Sequence, residues 1–231
     1  NLLAKALTNY SFQWDAPINN YLRLGENYFQ SDTFKQYYKR YGNTMEESIE
    51  AVKNKIQDLD RVFLEAAPKN ESLTNVFYRG MTKPFENLIN INDSIVVPNF
   101  ISITSDFSIA IRFSGITKGT KCCLYKIKLS KGIPHIDMIT TTKYKNEKEI
   151  LLPRNLIFKM QKIEYINYPT MKPLYKIPIV TLLVILQNND QFKLFNKCKN
   201  YYFGKLIVDY QLNLYILLLH YLNWKCWMMM I

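Results

Sequence analysis

Apolar side chains at Met45, Ile49, Val52, Ile56, Leu59 and Phe63 recur in steps of four and three, which places them on one stripe of an amphipathic helix. Thr44 stands before them with Glu47 three residues on, the pattern of a capping box. Pro68 and Lys69-Asn70 end the segment. Downstream of Val76 the period changes. Short β-rich runs follow at Val76–Arg79, Ile95–Val97, Phe100–Thr104, Leu124–Leu129, Glu149–Leu152, Leu156–Ile163 and Leu174–Leu186, and Tyr125-Lys126-Ile127-Lys128-Leu129 alternates as a half-buried strand should. A helical piece at Phe107–Ser114 interrupts the series. Upstream, Leu2–Leu7 and Ala16–Phe29 read as shorter helices, with Pro17 suited to a first turn. Helices first and strands afterwards argue for an α+β fold rather than βαβ winding.

With 231 residues, 48% of them hydrophobic, the chain can bury a substantial core as one domain over residues 1–187. Residues 188–231 have a different texture. Leu206–Ile231 is long enough to cross a bilayer, but Asp209, His220 and Lys225 interrupt it, and any membrane contact would run through this tail. The four cysteines, Cys122-Cys123 among them, are spaced for neither a zinc site nor a disulfide framework. With only His135 and His220, no metal site is expected. The formal charge of +11 favours acidic partners, yet the lysines are scattered and form no aromatic–basic stripe, which argues against nucleic acid. The first residue is Asn1 rather than Met, so a fragment or processed form is expected and no localisation is read.

Three signals follow in order. Phe77-Tyr78-Arg79-Gly80 puts an arginine at a strand end, where a guanidinium can grip phosphate in two-point fashion and a glycine lets backbone approach a ligand. Asn99-Phe100-Ile101-Ser102-Ile103-Thr104, with Ala110 and Phe113 beyond, offers hydroxyls to orient a carboxylate and an aromatic face. Tyr144-Lys145-Asn146-Glu147-Lys148-Glu149 leads straight into an apolar run. In a strand, residues i and i+2 share a face, so Glu147 and Glu149 are expected to enter one cleft. Singly, each signal has a plain alternative: a surface arginine, a core phenylalanine, a charged strand edge.

Together, at separations of 23 residues (79 to 102) and 47 residues (102 to 149), they resemble the Arg–Ser–Glu class of mono-ADP-ribosyltransferases, particularly the catalytic domains of clostridial binary toxins and their vegetative insecticidal relatives. The resemblance runs over about residues 10 to 186 and includes Tyr10 and Ile18-Asn19-Asn20-Tyr21-Leu22-Arg23. It implies two roughly perpendicular mixed β-sheets flanked by helices, with NAD as a substrate in the cleft between them, and a monomeric, secreted or delivered effector. By the same resemblance, Arg79 would hold a phosphate of NAD and the Gly80 backbone would meet the nicotinamide amide. Ser102 would hydrogen-bond the catalytic Glu149, Asn99 would contact NAD, and Phe113 would pack on nicotinamide. Tyr144 and Glu147 would recognise the acceptor. Glutamate rather than glutamine at position 147 implies transfer to an arginine of a target protein. NAD hydrolysis, and a basic binding module that kept the fold without the activity, stay open beside it. Two departures stand out: Ser102-Ile103-Thr104 replaces the usual Ser-Thr-Ser, and Lys118 and Lys121 stand where an arginine often follows the Phe113 position.

Overall fold

The computed structural model describes residues 2–41, 43–71, 75–82, 90–115, 123–142, 144–167 and 176–186. The chain divides after residue 187, and the fold described is that of the first unit. Lys118, Lys121, Cys122, Leu174 and the segment 206–231 lie outside the described residues.

Helices come first: α1 (Leu2–Asn9), a π-helical turn (Tyr10–Trp14), α2 (Asp15–Leu24), a 3-10 turn (Gly25–Gln30), α3 (Asp32–Tyr41) and α4 (Met45–Glu65). The capping box at Thr44 and Glu47 is formed in both directions. The expected stripe of α4 is buried at Val52, Ile56, Leu59 and Phe63, with Met45 and Ile49 packed against the same core. The helix expected at 16–29 stops at Leu24 because Gly25 has a φ of 61°, a backbone setting that glycine reaches without steric cost. Helix α3 was not among the helices expected, although Phe34, Tyr37, Tyr38 and Tyr41 stand at helical spacing. Its anchor is the fully buried Phe34, clasped by Tyr28, Phe29, Tyr37 and Tyr38.

The strands are β1 (Val76–Met81), β2 (Ser94–Val97), β3 (Ile101–Thr104), β4 (Cys123–Leu129), β5 (Ile136–Asp137), β6 (Glu149–Leu152), β7 (Leu156–Asn167) and β8 (Lys176–Leu186), with α5 (Phe107–Phe113) between β3 and β4. Their order is β2-β7-β8-β4-β1-β3-β6-β5. Between β1 and β3 the pairing narrows to the single register Tyr78↔Thr104. A large group (β2, β7, β8, β4, β1) and a small group (β3, β6, β5) thus meet at one hinge of the sheet, an α+β arrangement with the helices ahead of the strands.

Strand alternation gives the small group two apolar faces. Ile101, Ile103 and Leu152 join Phe77, Tyr125, Ile127, Phe158 and Leu182 in one core. Phe100 and Leu151 point the other way, into the helical core of Tyr10, Ile18, Phe34, Val52 and Leu59. Each such side chain contributes on the order of 1.5–3 kcal/mol when removed from water, so both faces are held. One ion pair reinforces the second interface: Arg154, just beyond β6, grips Asp60 of α4 with Nε–Oδ1 at 2.9 Å and Nη2–Oδ2 at 2.7 Å.

Candidate active site

The narrowing between β1 and β3 is where polar side chains collect. A cleft of about 780 Å³ opens there, lined by Arg79 and Gly80 of β1, Ser102 and Thr104 of β3, Ala110 and Phe113 of α5, Tyr144, Glu147 and Glu149, and Tyr10, Ser11, Asp15 and Asn19 from the helices. Its size falls within the range of small-molecule sites. Seven residues singled out from the sequence (Arg79, Gly80, Ser102, Phe113, Tyr144, Glu147 and Glu149) therefore share one wall system. Asn99 does not. It is buried, and its side-chain amide donates to the Phe100 carbonyl at 2.8 Å.

Register explains how hydroxyl and carboxylate meet. Thr104 pairs with Glu149 and Ser102 with Leu151, so Ser102 and Glu149 are diagonal neighbours on the helix-facing side of the small group. Ser102 favours the ionised form of the Glu149 carboxylate beside it. Burial raises the Glu149 pKa above the ordinary glutamate value; Ser102 and Arg79 pull it down, while Glu147 and Asp15 push it up. Arg79 donates from Nη1 to the Ser102 carbonyl, so β1 and β3 are cross-linked beside Glu149. Its Nε is buried with no partner. Burial lowers the Arg79 pKa, opposed by Tyr10 and Glu149.

Glu147 reaches the cleft by a different route from the strand geometry expected of it. It closes a 3-10 turn (Lys145–Glu147), and Lys148 is left-handed at φ 47° before β6 begins at Glu149. That left-handed residue, rather than a strand pleat, turns both carboxylates into one space. The turn is moored from below. Thr104 Oγ1 donates to the Glu147 carbonyl at 2.8 Å and accepts from the Asp106 amide at 3.1 Å. Lys148 Nζ pairs with Asp106 Oδ2 at 3.0 Å. Asp106 also caps α5 through Ser108, and these hydrogen bonds, from Ser108 first and Lys148 next, hold its carboxyl down at about 2.

The helical wall is the part that motif reasoning left without roles. Tyr10 is 2% exposed, its ring edge packs on Phe100, and its hydroxyl accepts from Asn19 Nδ2 at 2.9 Å. Burial pushes its phenol well up. Asn19 Oδ1 is buried with no partner. Ser11 Oγ donates to Thr142 Oγ1 at 2.9 Å, and Thr142 Oγ1 accepts from the Tyr144 amide at 3.1 Å, so the first helices steady the loop that carries Tyr144. A 131-residue separation leaves no local sequence signal for such a contact. A shallower recess of about 330 Å³, lined by Arg112, Tyr144, Lys145, Asn146 and Glu147, adjoins the cleft on the loop side. Among the described residues, no group of three His, Cys, Asp or Glu side chains is placed to hold a metal ion, and no helix is long and apolar enough to cross a membrane.

No protein-family model matches the sequence, and no curated protein matches it. Solved structures do. The SpvB ATR domain of Salmonella superposes with a TM-score of 0.55 at 22% identity, covering 80% of this chain and 99% of that one. Vis toxin, an ADP-ribosyltransferase from Vibrio splendidus, gives 0.54 at 19% identity over 80% and 73% of the two chains. Exoenzyme S from Pseudomonas aeruginosa, bound to carba-NAD and in complex with human 14-3-3 protein beta, gives 0.54 at 16% identity over 79% and 72%. The polypeptide, with its helices ahead of a sheet that narrows at β1 and β3, has the fold of the bacterial ADP-ribosyltransferases.

Proposed function

We propose that the protein transfers ADP-ribose from NAD to the guanidinium of an arginine on a target protein, releasing nicotinamide. The observation that carries this reading is the meeting of Arg79, Ser102 and Glu149 with Glu147 and Tyr144 around one cleft of about 780 Å³. Cleaving the bond between ribose C1′ and nicotinamide leaves an oxocarbenium-like sugar. A carboxylate with a hydroxyl beside it, as Glu149 has Ser102, stabilises that charge, and such preorganised electrostatics rank among the largest catalytic contributions. Arg79, anchored by one nitrogen on the Ser102 carbonyl, keeps donors for the diphosphate, which aligns the scissile bond. Phe113, 55% exposed at the cleft, offers a face for the nicotinamide ring. Glu147 accepts the proton that the acceptor guanidinium must lose as its nitrogen bonds C1′.

The neighbours support the substrate classes. Exoenzyme S is described bound to carba-NAD, and Vis in complex with agmatine, which carries a guanidinium. The test uses purified protein, NAD and agmatine, following nicotinamide release and agmatine labelling separately. Glu149→Gln should abolish both, and Glu147→Gln should lose labelling while NAD cleavage persists. Wild-type protein that leaves NAD intact would refute the enzyme reading. NAD cleavage with no labelled guanidine would assign water as the acceptor instead.

A further inference from the structure

We infer that Asp15 is a second anion for the acceptor guanidinium, gripping it from the helical wall while Glu147 meets it from the loop. The inference rests on the arginine-transfer reading and deepens it, because that reading gives the acceptor only Tyr144 and Glu147. Asp15 reaches the cleft by way of the π-helical turn at Tyr10–Trp14: its backbone N–H bonds the Tyr10 carbonyl, five residues back. In an ordinary α-helix, residues five apart stand roughly 140° from each other around the axis. The wider turn, closed by an i to i+5 bond, brings them onto one side. Tyr10 and Asp15 accordingly both line the cleft, and so does Asn19, one α-helical turn beyond Asp15. Turns of this kind are rare and collect at functional sites. The same turn is tied to the acceptor loop, since Ser11 donates to Thr142, which accepts from the Tyr144 amide.

This wall leaves acceptor capacity open. Asp15 is exposed, and among the described residues no cation pairs with it. Asn19 Oδ1 is buried with no partner. A guanidinium carries five N–H donors in a planar fork and no acceptor, which complements that set. Charge argues the same way. Asp15 and Glu147 both push the Glu149 pKa up, against the ionised form that stabilises an oxocarbenium-like sugar. A cation seated between Asp15 and Glu147 relieves that repulsion. The diphosphate of NAD is anionic and its pyridinium departs as nicotinamide, so the cation present as the new bond forms is the acceptor. An acid in the first turn of α2 also suits the helix dipole, but that role asks for no place in the cleft. Asp15 thus acts as a specificity-determining residue: it selects a cationic acceptor and steadies the guanidinium while Glu147 takes its proton.

Steady-state labelling of agmatine by the full-length chain at saturating NAD, set beside nicotinamide release without agmatine, tests this. Asp15→Asn should raise KM for agmatine about 10- to 100-fold, the loss of one charge-assisted hydrogen bond, while KM for NAD moves less than about twofold. Asp15→Glu, which keeps the charge on a longer side chain, should recover most of that loss. Added salt should raise the wild-type KM for agmatine more than that of Asp15→Asn. An agmatine KM unmoved in Asp15→Asn would overturn the inference and leave the arginine-transfer reading standing. A KM for NAD that rises as much as that for agmatine would assign Asp15 to NAD and overturn it too, as would an Asp15→Glu no better than Asp15→Asn. Wild-type protein that labels no guanidine would sink the transfer reading, and the inference with it.

Discussion

Gly80 was read from the sequence as backbone room for a ligand, and the structure supplies a second, steric requirement. A Cβ built on Gly80 would lie 1.8 Å from the Ala110 carbonyl oxygen and 2.5 Å from the Ser114 amide nitrogen. Reaching even 3.0 Å, below which real Cβ contacts essentially do not occur, requires a separation of 3.0 − 1.8 = 1.2 Å. Both obstructing atoms are backbone, so no rotamer change relieves them. Helix α5 must lift from β1, opening the small cluster of Ala110, Ile111 and Leu124. Forced overpacking of this kind costs about 1–3 kcal/mol, a Tm fall of about 2–12 °C for a domain of this size. Because α5 carries Phe113 on the cleft wall and Asp106 as its cap, KM for NAD should rise in the same variant. Thermal unfolding of Gly80→Ala, with NAD cleavage kinetics at 25 °C, measures both. If stability stays within about 0.5 kcal/mol of wild type, the range of an ordinary surface change, and KM is unmoved, then α5 does not sit against β1 as described.

The raised Glu149 pKa, from burial first, places the acid limb of NAD cleavage above the ordinary glutamate value of 4.5, and Ser102→Ala should move it higher still by removing a hydroxyl that favours the ionised form. A carboxyl raised on folding contributes stability at low pH that is lost as pH climbs from 4.5 through the folded value, so Glu149→Gln should melt above wild type at neutral pH; a lower Tm would contradict the burial argument. Asp60→Ala strips the half-buried Arg154 of its two-point partner and should cost about 1–3 kcal/mol in chemical denaturation while leaving NAD kinetics intact, since neither residue lines the cleft. Lys148→Gly relieves a left-handed φ but removes the mooring to Asp106; NAD turnover should drop severalfold with little change in Tm, and added salt, which screens exposed pairs, should slow the wild type more than the variant.

Periodicity alone determined the secondary elements with long, regular patterns. The α4 stripe, the alternating β4 and the order of helices before strands could be read because burial on one face leaves a repeat of 3.6 or 2 in the chain. The cleft residues proposed to carry chemistry, Arg79, Ser102, Phe113, Tyr144, Glu147 and Glu149, could be named because arginine, hydroxyl, aromatic and paired acids are distinctive in kind and order. Other features were decided only by tertiary contact. Asn99 is buried, gives its amide to the neighbouring Phe100 carbonyl and is not among the residues lining the cleft, which spacing from Ser102 could not reveal. Glu147, its carbonyl held by Thr104, joins Glu149 through a left-handed Lys148 paired with Asp106, and Ser11 steadies the loop across 131 residues. Local spacing records which side chain a backbone repeat presents; it holds no record of which distant group will arrive to meet it, because that is settled by packing the two cores around β3 and β6.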